Sequence, residues 1–176
     1  TSASRRRTPT TRAAASVGAP GLAYNQMGRG LVLGEPRGGA SGRVRALKAA
    51  FDDAGFETTA SDMIQRDIWY KLWGNMTTNP ISAITGATTD RIIGDELVRK
   101  LTADAMLEAG RVGAALGCAI AQSPDERHAI TRKLGAFKIS MLQDAEAGRA
   151  IELDSLVGAV RELGRHVGVE TPLIDA

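Results

Sequence analysis

The sequence has few of the residues from which disulfide-bonded, aromatic-rich or membrane-spanning proteins are built. Its 176 residues include one cysteine, Cys118, and only 4% of them are aromatic. One cysteine excludes an internal disulfide, and its apolar neighbours favour a buried thiol over a nucleophile. No apolar run approaches the ~18 residues that a transmembrane helix needs. These absences predict an aliphatic core, a reducing cytoplasmic location and no membrane partner.

Acidic residues are missing from the first 34 positions, which carry five arginines. The later positions hold 17 basic and 20 acidic residues, so the body of the protein has a net charge of −3. Nucleic-acid binding requires a basic face on the folded domain, and we therefore expect no nucleic-acid partner. Binding through the arginine-rich start is a minor alternative. We interpret residues 1–17, which are rich in Ser, Thr, Arg and Ala, as a disordered or aberrant segment.

The motifs of metal and nucleotide sites are absent too. His128 and His166 have no second ligand at the spacing of a metal site, so no metal is predicted. The stretch GRGLVLGEP, residues 28–36, has the spacing G-x-G-x-x-x-G, and its glycines flank a predicted strand at residues 31–33. A dinucleotide fingerprint instead has G-x-G-x-x-G between a strand and a helix. Phosphate binding is therefore not expected at this stretch.

A series of helical patterns fills most of the chain. Ser41 is expected to cap a first helix, which is followed by a short strand at residues 56–60. A second helix is predicted from about residue 62 to about residue 84, with a kink or a restart at Pro80. Further helices are predicted over residues 95–116, 124–146 and 151–167. The predicted fold class is mainly α, with a short β remnant at its start.

Three polar residues recur on one face of the second predicted helix. Lys71, Asn75 and Asn79 are spaced at i, i+4 and i+8, which places them within about 80° of one another. A lysine supplies a charge and a proton, and an asparagine both donates and accepts hydrogen bonds. The spacing alone is better explained by a solvated helix face, although asparagine is a poor residue for a helix interior. A directional binding site and a solvated surface both stay open.

A second polar cluster follows at residues 140–154. The hydroxyl of Ser140 could donate to a nearby backbone carbonyl. Glu152 is expected in the first turn of the last helix, where the helix dipole favours a carboxylate. Local structure thus explains both residues, and the pattern alone assigns them no function.

The same stretches resemble a known family. The segment DIWYKLWGNMTTNPISAITG, residues 67–86, resembles the motif W-x-K-L-x-x-N-x-x-x-N-P-x-x-A of ketopantoate reductases. The segment SMLQDAEAGRAIELDSLVGAV, residues 140–160, resembles the family's S-S-M-x-Q-D…T-E-I-D-x-(I/L)-N-G stretch. GRGLVLGEPRG resembles the last strand and exit turn of the family's nucleotide-binding domain, and RHVGVETP resembles its closing segment. The resemblance covers residues 18–176.

The resemblance implies a fold and an activity. Ketopantoate reductases reduce 2-dehydropantoate to pantoate with NADPH, on the route to pantothenate and coenzyme A. Residues 61–176 would form an all-α domain like the C-terminal domain of 6-phosphogluconate dehydrogenases, and residues 18–60 would be the remnant of a Rossmann domain with a linker. The implied partners are a small 2-oxo acid and a second copy, in a homodimer formed through the helical domain.

The resemblance also implies roles for single residues. Lys71 matches the general acid, and Asn75, Asn79 and Ser140 match substrate-binding residues. Glu152 matches a catalytic carboxylate beside Lys71 and the cofactor. Such residues suit a reduction, because an ammonium group stabilises negative charge on a carbonyl oxygen and then donates its proton.

The sequence departs from the family pattern in several places. The G-x-G-x-x-G loop and the 2′-phosphate site are missing, so most NADPH contacts are absent and we expect no reductase activity from the 176 residues alone. Thr88 or Thr89 stands where the family has a further substrate-binding asparagine, which leaves the identity of the 2-oxo acid open. Ile139 and Val157 replace a serine and an asparagine. The alternative to an enzyme is a helical module that self-associates or binds a partner through an exposed apolar face.

Overall fold

Two short β-sheets lie in the first part of the chain in the computed structural model, which describes residues 14–20 and 22–176. Strands β1 (Ala14–Ala19) and β2 (Leu22–Met27) form an antiparallel hairpin. Strands β3 (Gly30–Gly34) and β4 (Glu57–Ser61) pair in parallel. The strands predicted at residues 31–33 and 56–60 are confirmed by β3 and β4.

Most of the segment predicted to be disordered, residues 1–17, lies outside the described residues. Its last four residues belong to β1. There Ser16 pairs with Tyr24 and Val17 pairs with Ala23 on β2.

Helix α1 (Gly42–Asp53) connects the two parallel strands. Ser41 caps it as predicted, and its Oγ atom accepts a hydrogen bond from the backbone N–H of Val44 at 3.2 Å. At the end of β3, a Cβ atom on Gly34 would lie 2.6 Å from the Cβ atom of Ile64. Glycine is therefore required at position 34, where β3 passes the start of the helix Ile64–Thr85.

Helices make up most of the remaining chain, which confirms the mainly α fold. The predicted helix over residues 62–84 corresponds to α2, which runs through Pro80 without interruption, so the chain does not restart there. None of the described helices has both the length and the apolarity to cross a membrane. In chain order the helices after β4 are α2 (Ile64–Thr85), α3 (Thr89–Gly94), α4 (Glu96–Ala115), α5 (Pro124–Arg132), α6 (Ser140–Glu146), a π-helical turn (Asp154–Gly158), α7 (Ala159–Val167) and α8 (Pro172–Asp175).

The single helix predicted over residues 124–146 is wrong, because a loop separates α5 from α6. Gly135 in this loop has a φ of +63°, which a right-handed helix does not allow. The loop is held by Thr89, whose hydroxyl donates to the Gly135 carbonyl at 2.6 Å and whose backbone N–H donates to the Phe137 carbonyl at 3.1 Å. Thr89 also begins α3, a short helix that the periodic pattern does not predict.

The chain divides into two compact units, one ending at Ile68 and the other comprising Trp69–Ala176. The division falls inside α2. The second unit contains all the residues to which the family resemblance assigns roles.

The core of the second unit forms where α2 crosses α4. Trp73 donates a hydrogen bond from Nε1 to the backbone carbonyl of Met106 at 2.6 Å, and the indole of Trp69 lies against Gly113. Small and aliphatic residues surround the two tryptophans. The core that composition predicts to be aliphatic therefore has two aromatic side chains at its centre.

The C-terminal helix α8 is tied to α4 by one buried carboxylate. Glu108 is only 4% exposed, and its carboxylate accepts hydrogen bonds of 3.1 Å from the backbone N–H groups of Leu173 and Ile174. These N–H groups lie at the start of α8, where a helix has no internal acceptors for them. Glu108 thus closes the second unit at its C-terminal end.

Candidate functional site

Lys71, Asn75 and Asn79 form a polar stripe along α2, and the first two lie on the side of the helix away from the core. Trp69, Trp73 and Met76 are at most 5% exposed and define the buried side. At 100° per residue, Lys71 and Asn75 point roughly opposite to them. Lys71 is exposed, Asn75 is half-buried and Asn79 is 2% exposed. The stripe therefore runs from solvent into the interior, unlike the uniformly solvated face that its spacing also allows.

Asn79 is the buried end of the stripe, and its side chain is incompletely satisfied. Its Oδ1 atom is buried and has no hydrogen-bond partner in the part of the chain that the structure describes. An unsatisfied buried acceptor costs about 1–3 kcal/mol, and such groups are rare in native proteins. A ligand that donates a hydrogen bond to this atom would remove that cost.

Lys71 is the exposed end of the stripe. Among the described residues its ammonium group takes part in no ion pair, with Glu152 or with any other carboxylate. A lysine left unpaired in this way keeps all three of its N–H donors available to a ligand.

Glu152 directly precedes the helical turn that leads into α7. Its side chain is exposed, and its backbone carbonyl accepts a hydrogen bond from the Leu156 N–H at 3.1 Å. The turn that follows is π-helical, a distortion that is frequent at functional sites and that the sequence pattern does not predict. The structure does not join Glu152 to Lys71 by an ion pair.

Ser140 is the first residue of α6 and is exposed. Its hydroxyl makes no hydrogen bond to any other described residue, so the backbone contact that local structure would offer it is not formed. Two polar side chains near Ser140 already have hydrogen-bonding or charged partners. Gln143 donates to the Lys138 carbonyl at 2.6 Å, and Asp144 pairs with Arg149 at 2.6 Å.

The loop between α2 and α3 offers no free hydroxyl. Thr89 is 1% exposed and donates to the Gly135 carbonyl, and Thr88 donates to the carboxylate of Asp90. Hydrogen bonding to Thr88 holds the pKa of the Asp90 carboxyl below its usual value. The resemblance expects a substrate-binding asparagine at Thr88 or Thr89, and both of these side chains instead make hydrogen bonds within the chain.

The side chain of Arg127 packs against Tyr70 and Gly74 of α2, a contact that the sequence pattern does not reveal. The guanidinium of Arg127 lies 5.0 Å from the ring centroid of Tyr70 and donates to its hydroxyl at 3.3 Å. Tyr70 in turn donates to Gln122 at 2.8 Å. A Cβ atom on Gly74 would lie 2.6 Å from Arg127 Nε, so this packing requires glycine within the helix. Gly74 is the sequence feature that indicates this contact, because a glycine in a helix interior usually has a packing reason.

No cluster of metal-ligating residues exists among the described residues. His128 is 3% exposed and sits 3.1 Å from the hydroxyl of Thr102 through Nε2. The Thr102 hydroxyl donates to the Arg99 carbonyl, so it accepts from His128, whose Nδ1 is buried without a partner. Burial lowers the pKa of His128 and keeps it neutral. We interpret it as a packed core residue.

The turn from β3 into α1 does not fit a dinucleotide phosphate. Dinucleotide-binding folds place the pyrophosphate at the N-terminus of the helix that follows the strand. In this chain the carboxylate of Glu35 accepts hydrogen bonds there from the Ser41 hydroxyl and from Arg43, which lower the pKa of Glu35. The chain thus places its own anion at that position, where it would repel a phosphate.

The second unit presents four polar side chains of the kind that bind small oxygen-rich molecules. The stripe offers one ammonium group and two amides, and Ser140 offers an unengaged hydroxyl. These groups suit carboxylate and carbonyl oxygens, and Lys71 is the only one of them that carries a positive charge.

Comparisons with known proteins match the chain to one family. Residues 63–176 match the family model described as ketopantoate reductase PanE/ApbA C terminal. The chain is 46% identical over 163 residues to the 2-dehydropantoate 2-reductase of Mesorhizobium japonicum, and the match covers 93% of this chain and 50% of that protein.

Solved structures are similar to the chain as well. The 2-dehydropantoate 2-reductase structure from Methylococcus capsulatus has a TM-score of 0.86 at 31% identity, and the match covers 93% of this chain and 57% of that one. A Ralstonia solanacearum MolK2 structure, provisionally assigned as a ketopantoate reductase, has a TM-score of 0.87 at 52% identity, covering 93% and 50%. The chain spans about half the length of the curated relatives it matches.

Proposed function

Because the chain belongs to the ketopantoate reductase family, we propose that its second unit binds and protonates the substrate of an NADPH-dependent 2-oxo acid reductase. The proposed reaction is the reduction of 2-dehydropantoate to (R)-pantoate, the activity for which its relatives are named. We further propose a cytoplasmic location, with which the buried, unpaired Cys118 is consistent.

The observation that carries the proposal is the burial gradient along Lys71, Asn75 and Asn79. A solvated helix face has no reason to bury an asparagine at 2% exposure with an unsatisfied Oδ1 atom. A binding site does have one, because the ligand completes the hydrogen bonds that the protein leaves open.

The proposed roles follow from the chemistry of each side chain. As negative charge develops on the carbonyl oxygen, the Lys71 ammonium stabilises it and donates a proton to that oxygen. Asn75, Asn79 and Ser140 orient the substrate through neutral hydrogen bonds. Glu152 would approach Lys71 when substrate is present and hold its ammonium group in position. Catalytic hydrogen bonds are often long or poorly aligned in the free enzyme and tighten only in the complex, so the lack of an ion pair between these two described residues is compatible with this role.

NADPH is the proposed reductant of the whole enzyme, and its phosphates would be bound outside the described residues. The β3–α1 turn does not supply that site, because the Glu35 carboxylate lies at the start of α1 and accepts hydrogen bonds from Ser41 and Arg43. The contribution of this chain is therefore substrate binding and proton donation.

A second candidate activity is the reduction of a different 2-oxo acid. Its support is the loop of Thr88 and Thr89, whose hydroxyls are engaged in the fold. A substrate group that the family's asparagine would bind finds no partner there. Compared with its relatives, this chain would then discriminate less strongly between 2-dehydropantoate and 2-oxo acids that lack the group.

The proposal is tested by supplying the part of the Mesorhizobium relative that this chain does not span. We expect a chimera of that N-terminal part and this chain to oxidise NADPH in the presence of 2-dehydropantoate. The 176 residues alone should show no turnover above background. A panel of 2-oxo acids, assayed for kcat/KM, would distinguish the two candidate substrates.

The parent relative is the matched control for expression and cofactor binding. A chimera that folds and binds NADPH but reduces no 2-oxo acid would contradict the proposed function. Turnover by the 176 residues alone would contradict the assignment of the cofactor site to the remainder of the enzyme.

A further inference from the structure

A buried threonine at the start of α3 holds the loop that leads into α6. Thr89 is 1% exposed, and its hydroxyl donates to the Gly135 carbonyl at 2.6 Å. The same hydroxyl accepts a hydrogen bond from the Phe137 N–H at 3.3 Å, and the Thr89 N–H donates to the Phe137 carbonyl at 3.1 Å. Thr89 therefore makes hydrogen bonds to two residues that lie 46 and 48 positions further along the chain.

This loop determines where Ser140 lies. Phe137 is three positions before Ser140, which is the first residue of α6. Ile139 occupies the N-cap position of α6 and makes no side-chain cap hydrogen bond, so local capping does not fix the start of this helix. The hydrogen bonds of Thr89 are the polar contacts that hold the segment just ahead of it.

On its other side, Thr89 is connected to the end of α2. Ser82 is fully buried, and its hydroxyl donates to the Ala87 carbonyl at 2.6 Å, while its own carbonyl accepts from the Gly86 N–H at 2.9 Å. These bonds fix the short connection from α2 to α3. Ser82 is three positions after Asn79 on the same helix, so hydrogen bonds link the buried end of the polar stripe, through Thr89, to the segment before Ser140.

We propose that Thr89 is a positioning residue of the substrate site, which sets the place of Ser140 relative to Asn79 without contacting the substrate itself. The inference rests on the proposed function, in which the Ser140 hydroxyl and the Asn79 amide bind the same 2-oxo acid. Two groups on separate helices bind one small molecule well only when their relative position is held to within about 0.5 Å. The buried hydroxyl of Thr89 supplies that constraint.

A threonine suits this task because a hydroxyl donates and accepts hydrogen bonds at the same time. Valine has nearly the same shape, but it would leave the Gly135 carbonyl and the Phe137 N–H without this partner. The loop would then be free to take other positions, and Ser140 would move with it. Serine keeps both hydrogen bonds and should keep the position of the loop.

A different explanation of the same contacts is that Thr89 only stabilises the fold. Met141 and Leu142 are each 2% exposed, and their burial alone could place α6. Loss of the Thr89 hydroxyl would then lower the stability of the second unit and leave the ligand affinity of the folded chain unchanged. The two explanations therefore predict different dissociation constants for a variant that is folded.

The test is a double-mutant cycle on the full 176-residue chain, with 2-dehydropantoate as the ligand and the Asn75 and Asn79 side-chain amides as the nuclear magnetic resonance signals. Thr89→Val and Ser140→Ala should each raise Kd about tenfold. The double variant should bind within about twofold of Ser140→Ala, because Thr89 acts through the Ser140 hydroxyl. Thr89→Ser should bind within about threefold of the unchanged chain.

Two further variants serve as control and as reserve. Thr131→Val is the matched control, since the Thr131 hydroxyl also donates to a backbone carbonyl, that of Arg127 at 3.1 Å, but within its own helix. It should leave Kd unchanged. Gly135→Ala disturbs the same loop from its other end, because alanine is strained at a φ of +63° although its Cβ atom would meet nothing within 4 Å. It should raise Kd as Thr89→Val does, and it replaces that variant if circular dichroism shows that Thr89→Val is unfolded.

Hydrogen exchange of the ligand-free chain tests the position of α6 directly. The Gln143 N–H donates to the Ile139 carbonyl at 3.1 Å, a hydrogen bond in the first turn of α6. Thr89→Val should raise the exchange rate of this N–H about tenfold, because the start of α6 is held less firmly. Thr131→Val should leave the rate unchanged, and an unchanged rate in Thr89→Val as well would overturn the inference.

Two binding results would also overturn it. One is an additive cycle, in which the double variant binds about tenfold more weakly than Ser140→Ala. The other is a folded Thr89→Val chain that binds 2-dehydropantoate as tightly as the unchanged chain. Either result leaves the proposed function intact. If the unchanged chain itself shows no saturable binding, the proposed function fails, and the positioning role of Thr89 fails with it.

Discussion

In the chimera described above, Lys71→Met should lower kcat by about 10²- to 10⁴-fold, the usual contribution of a general acid. The change removes both the positive charge that stabilises the developing oxyanion and the proton that neutralises it. Lys71 is exposed and unpaired in the described chain, so its replacement should leave the fold intact. Steady-state kinetics with saturating NADPH and thermal unfolding of the same samples would separate the two effects.

Two further variants sharpen this expectation. Lys71→Arg keeps the charge but hardly releases a proton, because an arginine stays protonated at any working pH. It should bind substrate almost as tightly as lysine and still turn over slowly, a separation of KM from kcat that a purely structural role does not produce. Lys133→Met is the matched control, since Lys133 is an exposed lysine at the end of α5. If Lys71→Met keeps more than about a tenth of kcat, Lys71 is not the proton donor.

Gly113→Ala should destabilise the second unit by about 3 kcal/mol or more. A Cβ atom at this position would overlap the Trp69 indole, meeting Nε1 and lying 2.7 Å from Cδ1. The indole is 5% exposed, so it would have to shift within the core or push α2 and α4 apart. For a chain of this size the change should lower the melting temperature by about 6–12 °C.

Gly110→Ala is the control for this change. It lies one turn earlier on the same helix, and its added Cβ atom would make an ordinary contact of 3.8 Å with Trp73 Nε1. Alanine favours a helix over glycine by about 1 kcal/mol, so this variant should be neutral or more stable. Adding Trp69→Phe to Gly113→Ala should recover part of the loss, because the smaller ring leaves room for the methyl group. Equal melting temperatures for the two alanine variants would contradict the close packing of α2 on α4.

The predictable parts of the fold are those that local chemistry determines. Ser41 caps α1 because its hydroxyl binds a nearby backbone N–H, and Asp95 does the same for α4. The long helices α2 and α4 follow from apolar periodicity. The periodic pattern does not predict the loop between α5 and α6, because this loop depends on Thr89, which is more than 40 residues away in sequence. The π-helical turn before α7 likewise has no local signature.

The candidate site also has a part that the sequence predicts and a part that depends on tertiary packing. The alignment of Lys71, Asn75 and Asn79 on one face follows from helical geometry alone. The burial of Asn79 and its unsatisfied oxygen do not, because they depend on what packs around the end of α2. The same holds for Arg127 against Gly74, a contact between α5 and α2. Whether Ser140 and Glu152 complete the site depends on tertiary packing and on the ligand, and no sequence pattern contains that information.

The most direct test of the proposed site is a titration of the isotopically labelled chain with 2-dehydropantoate, followed by the side-chain amide signals of asparagine in nuclear magnetic resonance spectra. We predict saturable shifts of the Asn75 and Asn79 amides, with weak affinity because the chain spans about half of its relatives. Asn25, which lies on β2 in the first unit, provides the control amide. Asn79→Ala should abolish the shift at Asn75 or weaken it at least about tenfold. Shifts confined to residues outside the stripe, or an Asn79 signal unchanged at saturating 2-dehydropantoate, would contradict the proposed site.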